Sequence, residues 1–164
     1  MIPKIYTDGS HFKHSVEGYI GYGAYCEHLN TIYKMSGKCD NECLKTYQIP
    51  PDTKISNPTA EFIAFAEVLR HLSRSSSPSN DFNGKKLIFI IDYEGVKKWM
   101  NGEWKTKQPY IRSIKAYCDR LIAINGFVID IQDVDSHSNN YGNDMADALA
   151  KDRDVYSNFD RFVI

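Results

Sequence analysis

The sequence predicts a single α/β domain, a five-stranded mixed sheet flanked by helices, with its first three strands antiparallel and the later ones parallel. Three observations carry that prediction. Two β-rich runs follow the first strand at the spacing of a meander. A continuous apolar run, KKLIFIID (85–92), reads as a strand covered on both faces. Stretches with helical periodicity then separate the strands that follow residue 58. The order βββ-α-β-α-α-β-α joins the first and fourth strands through a helix, which implies a parallel pair with a right-handed crossover. A chain of 164 residues is large enough for one such domain with a conventional core.

Each element has its own signal. Residues 2–8 (IPKIYTD) read as a short strand that ends in a turn at Gly9-Ser10. Residues 19–28 and 31–36 are two further β-rich runs, separated by Leu29-Asn30. Residues 37–57 carry Gly, Pro, Asn and Asp without period and read as a long loop. From Thr59 onward Phe62, Phe65, Ala66 and Leu69 fall at helical spacing, and Pro58 suits a helix start. That helix fades into SRSSSPSNDFNG, a serine-rich surface loop. After the strand at 85–92 come a short helix (94–100), a loop around Trp104, a helix from Pro109 to Ala123, a strand (127–134) and a last helix (143–151). The tail to Ile164 has no pattern that assigns it, and neither an internal repeat nor a second domain is visible.

Composition narrows the function classes. Hydrophobic residues make up 42% and charged residues 25%, ordinary values for a globular protein. No apolar run approaches the roughly 18 residues a membrane span needs. The start, MIPKIYTDGS, has neither a basic region nor a long apolar stretch, so a cytoplasmic protein is expected, as a monomer. Cys26, Cys39, Cys43 and Cys118 do not read as a disulfide framework. Cys39 and Cys43 with His28 could form part of a zinc site, but ordinary loop thiols are the preferred reading.

The net charge of −1 names no partner; its distribution says more. Between Lys85 and Lys115 eight basic residues face three acids, with Trp99, Trp104 and Tyr110 interleaved. From Cys118 to the end nine aspartates face four arginines and lysines. A basic stretch beside an acidic one suits a phosphate-binding track next to a metal site, although a solvated helix face looks similar. Asp8 ends the first strand and Asp92 the fourth, so a parallel pairing sets them side by side at the carboxyl edge where α/β sheets gather ligands. Like charges that close raise each other's pKa unless a cation neutralises them, which makes a divalent metal the economical explanation.

YTDGS (6–10), PTAEFIAFAEVL (58–69), LIFIIDYEGVKKW (87–99) and DSHSNNYGNDMADALAK (135–151) together resemble the type 1 ribonuclease H family, in the right order and over nearly the whole chain. IDYEGVKKWMNGEWK is similar to a bacterial subgroup of that family. The resemblance implies a metal-dependent endonuclease that cuts the RNA strand of an RNA–DNA hybrid, leaving 5′-phosphate and 3′-hydroxyl ends. It implies that Asp8, Glu61, Asp92 and Asp147 bind the metals and that His137 is a mobile histidine near the site. It places Asn57 and Glu94 against the RNA strand, lets Gly9 and Ser10 admit the substrate backbone, and puts Trp99, Trp104, Lys105 and Lys107 along the DNA strand.

The chemistry explains the residue types. Cutting an anionic phosphodiester needs charge neutralised and a water made nucleophilic. Two Mg²⁺ ions roughly 3.5–4 Å apart supply both, with Mn²⁺ as a possible substitute. Magnesium prefers hard carboxylate oxygens and keeps several waters, so a few Asp and Glu on rigid elements suffice. By the resemblance Asp8 bridges the ions, Asp92 and Glu61 complete one site, and Asp147 the other. Taken singly, each residue has a plainer reading: Asp8 as a turn former, Glu61 as a first-turn acid facing the helix dipole, His137 as a solvated histidine, and the tryptophans as core packing. Asp144, one helical turn before Asp147, is an alternative ligand that the family motif ranks second.

The chain departs from the family in places. Asp135 stands where a basic residue is usual, Tyr93 where a small hydroxyl is usual, and the short GEWKTKQPY where some members carry a basic protrusion. Residues 38–56 are longer than the usual connection. The competing readings are another nuclease of the same superfamily, or a catalytically silent hybrid-binding protein.

Overall fold

The sheet is organised around its first strand. In the computed structural model, which describes residues 2–11, 20–51, 53–74, 85–134, 140–152 and 156–162, β1 (Lys4–His11) lies between two neighbours of opposite sense. It pairs antiparallel with β2 (Ile20–His28), setting Asp8 opposite Gly23, and parallel with β4 (Lys85–Ile91), setting Thr7 opposite Ile91. β3 (Thr31–Cys39) continues the meander, and β5 (Phe127–Asp133) lies parallel to β4. The sheet order is β5-β4-β1-β2-β3-β6, where β6 (Tyr156–Ser157) is a short edge strand on β3.

The helices are α1 (Asn41–Thr46), α2 (Asn57–Arg74), α3 (Glu94–Met100), α4 (Pro109–Asn125) and α5 (Tyr141–Asp152). α2 is the crossover that makes β1 and β4 parallel. Every residue from Phe62 to Leu69 is buried, because the sheet covers one side of this helix and α3 and α4 cover the other. The one charge in that run, Glu67, is satisfied: the Tyr47 hydroxyl donates to its Oε1 at 2.6 Å and Arg70 binds its Oε2. α5 packs on β1, β2 and β3. Its side of the sheet is opposite that of α2, because Gly9 meets α2 and Gly23, paired with the preceding residue Asp8, meets α5.

The α/β class, the mixed sheet and the parallel β1–β4 pair agree with the sequence reading, and four local expectations change. β1 runs on through Gly9 and Ser10 to His11 instead of turning there, because β2 pairs with it along that whole length. The expected 37–57 loop contains the end of β3 and helix α1, whose first turn is capped by Asp40 accepting from the Cys43 N–H at 3.0 Å. Tertiary contacts order this short helix, which lacks enough periodicity to announce itself. The tail supplies β6 and a 3₁₀ turn (Phe159–Arg161) that buries Phe159 and Phe162 against Tyr33. Cys39 and Cys43 form a disulfide, so the loop-thiol reading is overturned. His28 does not join them, since Cys39 and His28 lie at opposite ends of the β2–β3 pair. The serine-rich expectation falls largely on residues outside those described, although α2 itself continues to Arg74.

The disulfide closes a loop with a sequence separation of only 4, so its constraint on the unfolded chain is small, about 2 kcal/mol. Reduction, or Cys43→Ser, is expected to lower the melting temperature by roughly 4–8 °C. An unchanged melt in reductant, checked by thiol counting, would show that the bond contributes nothing to stability.

Candidate active site

Four acidic residues gather at the carboxyl end of β1, and each arrives there for a local reason. Asp8 is fixed by strand pairing on both sides, and the Gly9 N–H donates to its Oδ1 at 3.0 Å. Asp92 follows the last residue of β4, level with Asp8 because Thr7 and Ile91 are in register. Glu61 comes from the first turns of α2. That helix can lie so close because residue 9 is glycine: a Cβ there would overlap the Ala60 carbonyl. The space made by Gly9 is therefore taken by the α2 backbone, where the sequence reading reserved it for a substrate. Asp147 comes from α5 on the other sheet face, and Gly23 admits α5, since a Cβ there would run into the backbone of Ala146 and Ala150.

The electrostatics are those of crowded carboxylates. Burial, opposed by its hydrogen bond with Glu61 and reinforced by Asp147, lifts the Asp8 carboxyl to about 6. Burial raises Glu61 well above the usual carboxylate range, as do the hydrogen bond and charge of Asp8 and the charge of Asp92. Partial burial pushes Asp147 upward too, but its hydrogen bond with Asp8 and its ion pair with Lys151, at 2.9 Å, more than offset that, so the net direction is down. Asp147 is thus the α5 acid that faces Asp8. Asp144, exposed in the first turn, is not among the groups that perturb Asp8 or Glu61.

The donor set suits a hard divalent cation. Glu61 Oε2 is enclosed and has no hydrogen-bond partner among the described residues, an expensive state for a carboxylate oxygen unless a ligand completes it. No three of the four carboxylates bring oxygens within 4.8 Å of one another; among the described residues only Cys39, Cys43 and Glu67 do so. That second set has its sulfurs joined in a disulfide and its carboxylate held by Tyr47 and Arg70, leaving no thiolate to bind metal. The looser carboxylate ring fits an ion that keeps part of its water shell.

Beside the acids, α2, α3 and the 104–109 segment enclose a cleft of about 300 Å³ lined by Ser56, Thr59, Tyr93, Lys105, Lys107 and Gln108, with Trp99 in its wall. The RNase H family model matches residues 3–154, nearly the whole chain. The chain belongs to the RNase H family. Its sequence has no match among the curated proteins. Its fold is that of solved RNase H structures. RNase H1 from the halophilic archaeon Halobacterium salinarum aligns with a TM-score of 0.64 at 21% identity, over 93% of this chain and 97% of that one. The N-terminal RNase H domain of a Mycobacterium tuberculosis protein gives 0.63 at 20%, over 93% and 98%. The compost-derived LC11-RNase H1, solved with an RNA/DNA hybrid, gives 0.64 at 18%, over 92% and 97%.

Within this RNase H fold the remaining residues singled out in the sequence fall into three groups. Lys105 and Lys107 line the cleft, and Asn57 and Glu94 sit exposed at the starts of α2 and α3 beside it; Glu94 pairs with Lys98 at 3.3 Å. Ser10 is half-buried on β1 opposite Gly21. The tryptophans divide. Trp99 stacks on Phe62, ring centroids 5.2 Å apart, and is largely packing, while Trp104 is exposed over it with Lys98 at 5.1 Å from its ring. His137 lies outside the described residues. The sequence reading missed Lys151, which the i,i+4 spacing from Asp147 could have revealed. It also missed Ser56, Thr59 and Gln108, polar residues at helix starts whose shared cleft exists only in the fold.

The acid cluster makes a signed prediction. Because the folded-state pKa of Asp8 lies above its unfolded value of 3.8, this carboxyl stabilises the fold below that value, and the benefit is lost as pH rises through about 6. In EDTA, Asp8→Asn is therefore expected to melt higher than the wild type near pH ~7.5, with the difference shrinking toward pH ~4. A difference independent of pH would contradict the crowding.

Proposed function

We propose that the chain is an endoribonuclease that hydrolyses the RNA strand of RNA–DNA hybrids with Mg²⁺, or Mn²⁺ in its place, leaving 5′-phosphate and 3′-hydroxyl ends. The observation that carries this reading is the approach of Glu61 and Asp147 to Asp8 from opposite sheet faces, with Glu61 Oε2 enclosed and without a partner among the described residues, in a chain of the RNase H family. Asp8, Glu61, Asp92 and Asp147 would hold the ions, which supply charge neutralisation and a water of lowered pKa when bound.

The protein's own residues do the positioning. Asp8, in a central strand paired on both sides, would hold an ion together with the carboxyls that approach it. Lys151 keeps Asp147 ionised and aimed inward. LC11-RNase H1, which has a similar fold, was solved in complex with an RNA/DNA hybrid; here the cleft lined by Lys105 and Lys107, and the exposure of Trp104, support these residues as DNA-strand contacts. Asn57, Glu94 and Ser10 would then meet the RNA strand, Trp99 would brace the cleft wall, and His137 would shuttle a proton or product. A monomer acting in the cytoplasm is consistent with this role. Among the described residues no helix is long and apolar enough to cross a membrane.

Labelled RNA–DNA hybrid, double-stranded RNA and double-stranded DNA incubated with and without Mg²⁺ test the reading. Only the hybrid should be cut, within its RNA strand, and EDTA should abolish cleavage; cleavage of DNA, or activity in EDTA, would sink it.

The variants are expected to rank. Asp8→Asn, Asp92→Asn and Asp147→Asn should lose several orders of magnitude in kcat while remaining folded. Asp144→Asn should be mild. His137→Ala should lose no more than the low end of the about 10²–10⁴-fold that acid–base assistance supplies. A lethal Asp144→Asn beside a mild Asp147→Asn would overturn the assignment on α5.

A further inference from the structure

The lengthened 38–56 segment builds a second cleft that the proposed chemistry does not use. After α1 ends at Thr46, Gln48 adopts a left-handed backbone (φ 57°) and lies against α4, its Oε1 taking a hydrogen bond from Ser113 Oγ at 3.2 Å. Between this turn and α4 opens a cleft of about 280 Å³ whose lining includes Gln48, Arg112, Ser113, Tyr117 and Arg120. Positions 112, 113, 117 and 120 share one face of a helix.

Both arginines are exposed, and neither has a carboxylate partner among the described residues. Arg112 reaches the Thr106 carbonyl at 3.4 Å, and the Arg120 guanidinium lies 5.3 Å from the Tyr117 ring centroid. The acid of α4, Asp119, pairs instead with Lys115 at 2.9 Å and lines a different cleft on the flank toward β5. One flank of α4 is thus neutralised and the other left cationic.

This cationic flank continues an existing line. Gln108 and Ile111 border the cleft that holds Lys105 and Lys107, and Arg112 begins the next one. Eight residues of helix separate Arg112 from Arg120, about 12 Å. A strand lying along α4 can therefore meet both guanidiniums with its phosphates. Guanidinium forks with a hydroxyl and an amide between them match phosphate and sugar oxygens.

We propose that this cleft binds the phosphates of the DNA strand where it runs on beyond the RNA–DNA hybrid, so that the enzyme favours hybrids whose DNA strand is extended. The inference rests on the hybrid as substrate. Its test measures KM and kcat of the full chain across a salt series. The substrates are a blunt hybrid, the same hybrid with a single-stranded DNA extension at either end, and the same hybrid with an RNA extension.

For the wild type, a DNA extension at one end should lower KM and steepen its salt dependence, with kcat unchanged. R112A/R120A should lose that added slope, by about 1.4 for two single-strand phosphate contacts, and leave the blunt hybrid untouched. R112K/R120K keeps both charges and should restore the slope, which separates lost charge from disturbed packing. Three outcomes would overturn the proposal: no benefit from a DNA extension, an equal benefit from an RNA extension, or an equal loss on blunt and extended hybrids. Inorganic phosphate that raises the melting temperature of the wild type but not of R112A/R120A, with no effect of extension, would make the cleft a small-anion site and also overturn it. A wild type that leaves even the blunt hybrid uncut removes the substrate reading itself; one that cuts it but ignores the extension removes only the cleft.

Discussion

The distance between the central strands and the helices on either side governs the site. A helix normally stands off a sheet by the depth of its own and the sheet's side chains. At two positions here the sheet contributes none. Gly9 lets the Ala60–Glu61 backbone of α2 come down onto β1, and Gly23 lets α5 do the same on β2. Both contacts lie within one strand step of Asp8, so the carboxyls of Glu61 and Asp147 reach Asp8 from opposite faces. Each glycine weakens its strand in isolation, and the packing of two helices makes good the loss.

That proximity works against the metal-free fold. Three carboxyls share hydrogen bonds that require a proton, Asp92 adds its charge, and Lys151 pairs directly with Asp147. Elsewhere buried charge is handled differently. Glu67, on the same helix as Glu61 and fully buried, is met by Tyr47 and Arg70, so its burial is conventional. Glu67 is satisfied, while Glu61 Oε2, six residues away, has no partner among the described residues.

The cationic side of the molecule is arranged around α4 and its approach. Lys105, Lys107, Arg112 and Arg120 follow one another past two adjoining clefts, and Thr46 at the end of α1 and Gln48 after it line the second. A net charge near zero hides this separation of acidic and basic surface. The sum matters for solubility, while the local field matters for an anionic polymer.

The sequence by itself determined the fold class and the parallel β1–β4 pair, because apolar runs, helical periodicity and crossover handedness are local signals that one global arrangement satisfies; Glu61 and Asp147 came only from the resemblance to a family. It could name Asp8 and Asp92 as neighbours from strand order alone. It read Gly9 as a turn and a substrate gap, since nothing in YTDGS shows that a helix fifty residues on will occupy that space. It left 37–57 as loop and the tail unassigned, because α1 and β6 are too short to carry a period and are held by Asp40, by Tyr47 on Glu67 and by pairing with β3. It could not choose between packing and binding for Trp99 and Trp104, which differ only in what lies above each ring. Only the tertiary structure decided that Asp147 and not Asp144 faces Asp8, and that Cys39 bonds Cys43. Side-chain direction and through-space distance are products of packing, and a linear pattern does not contain them.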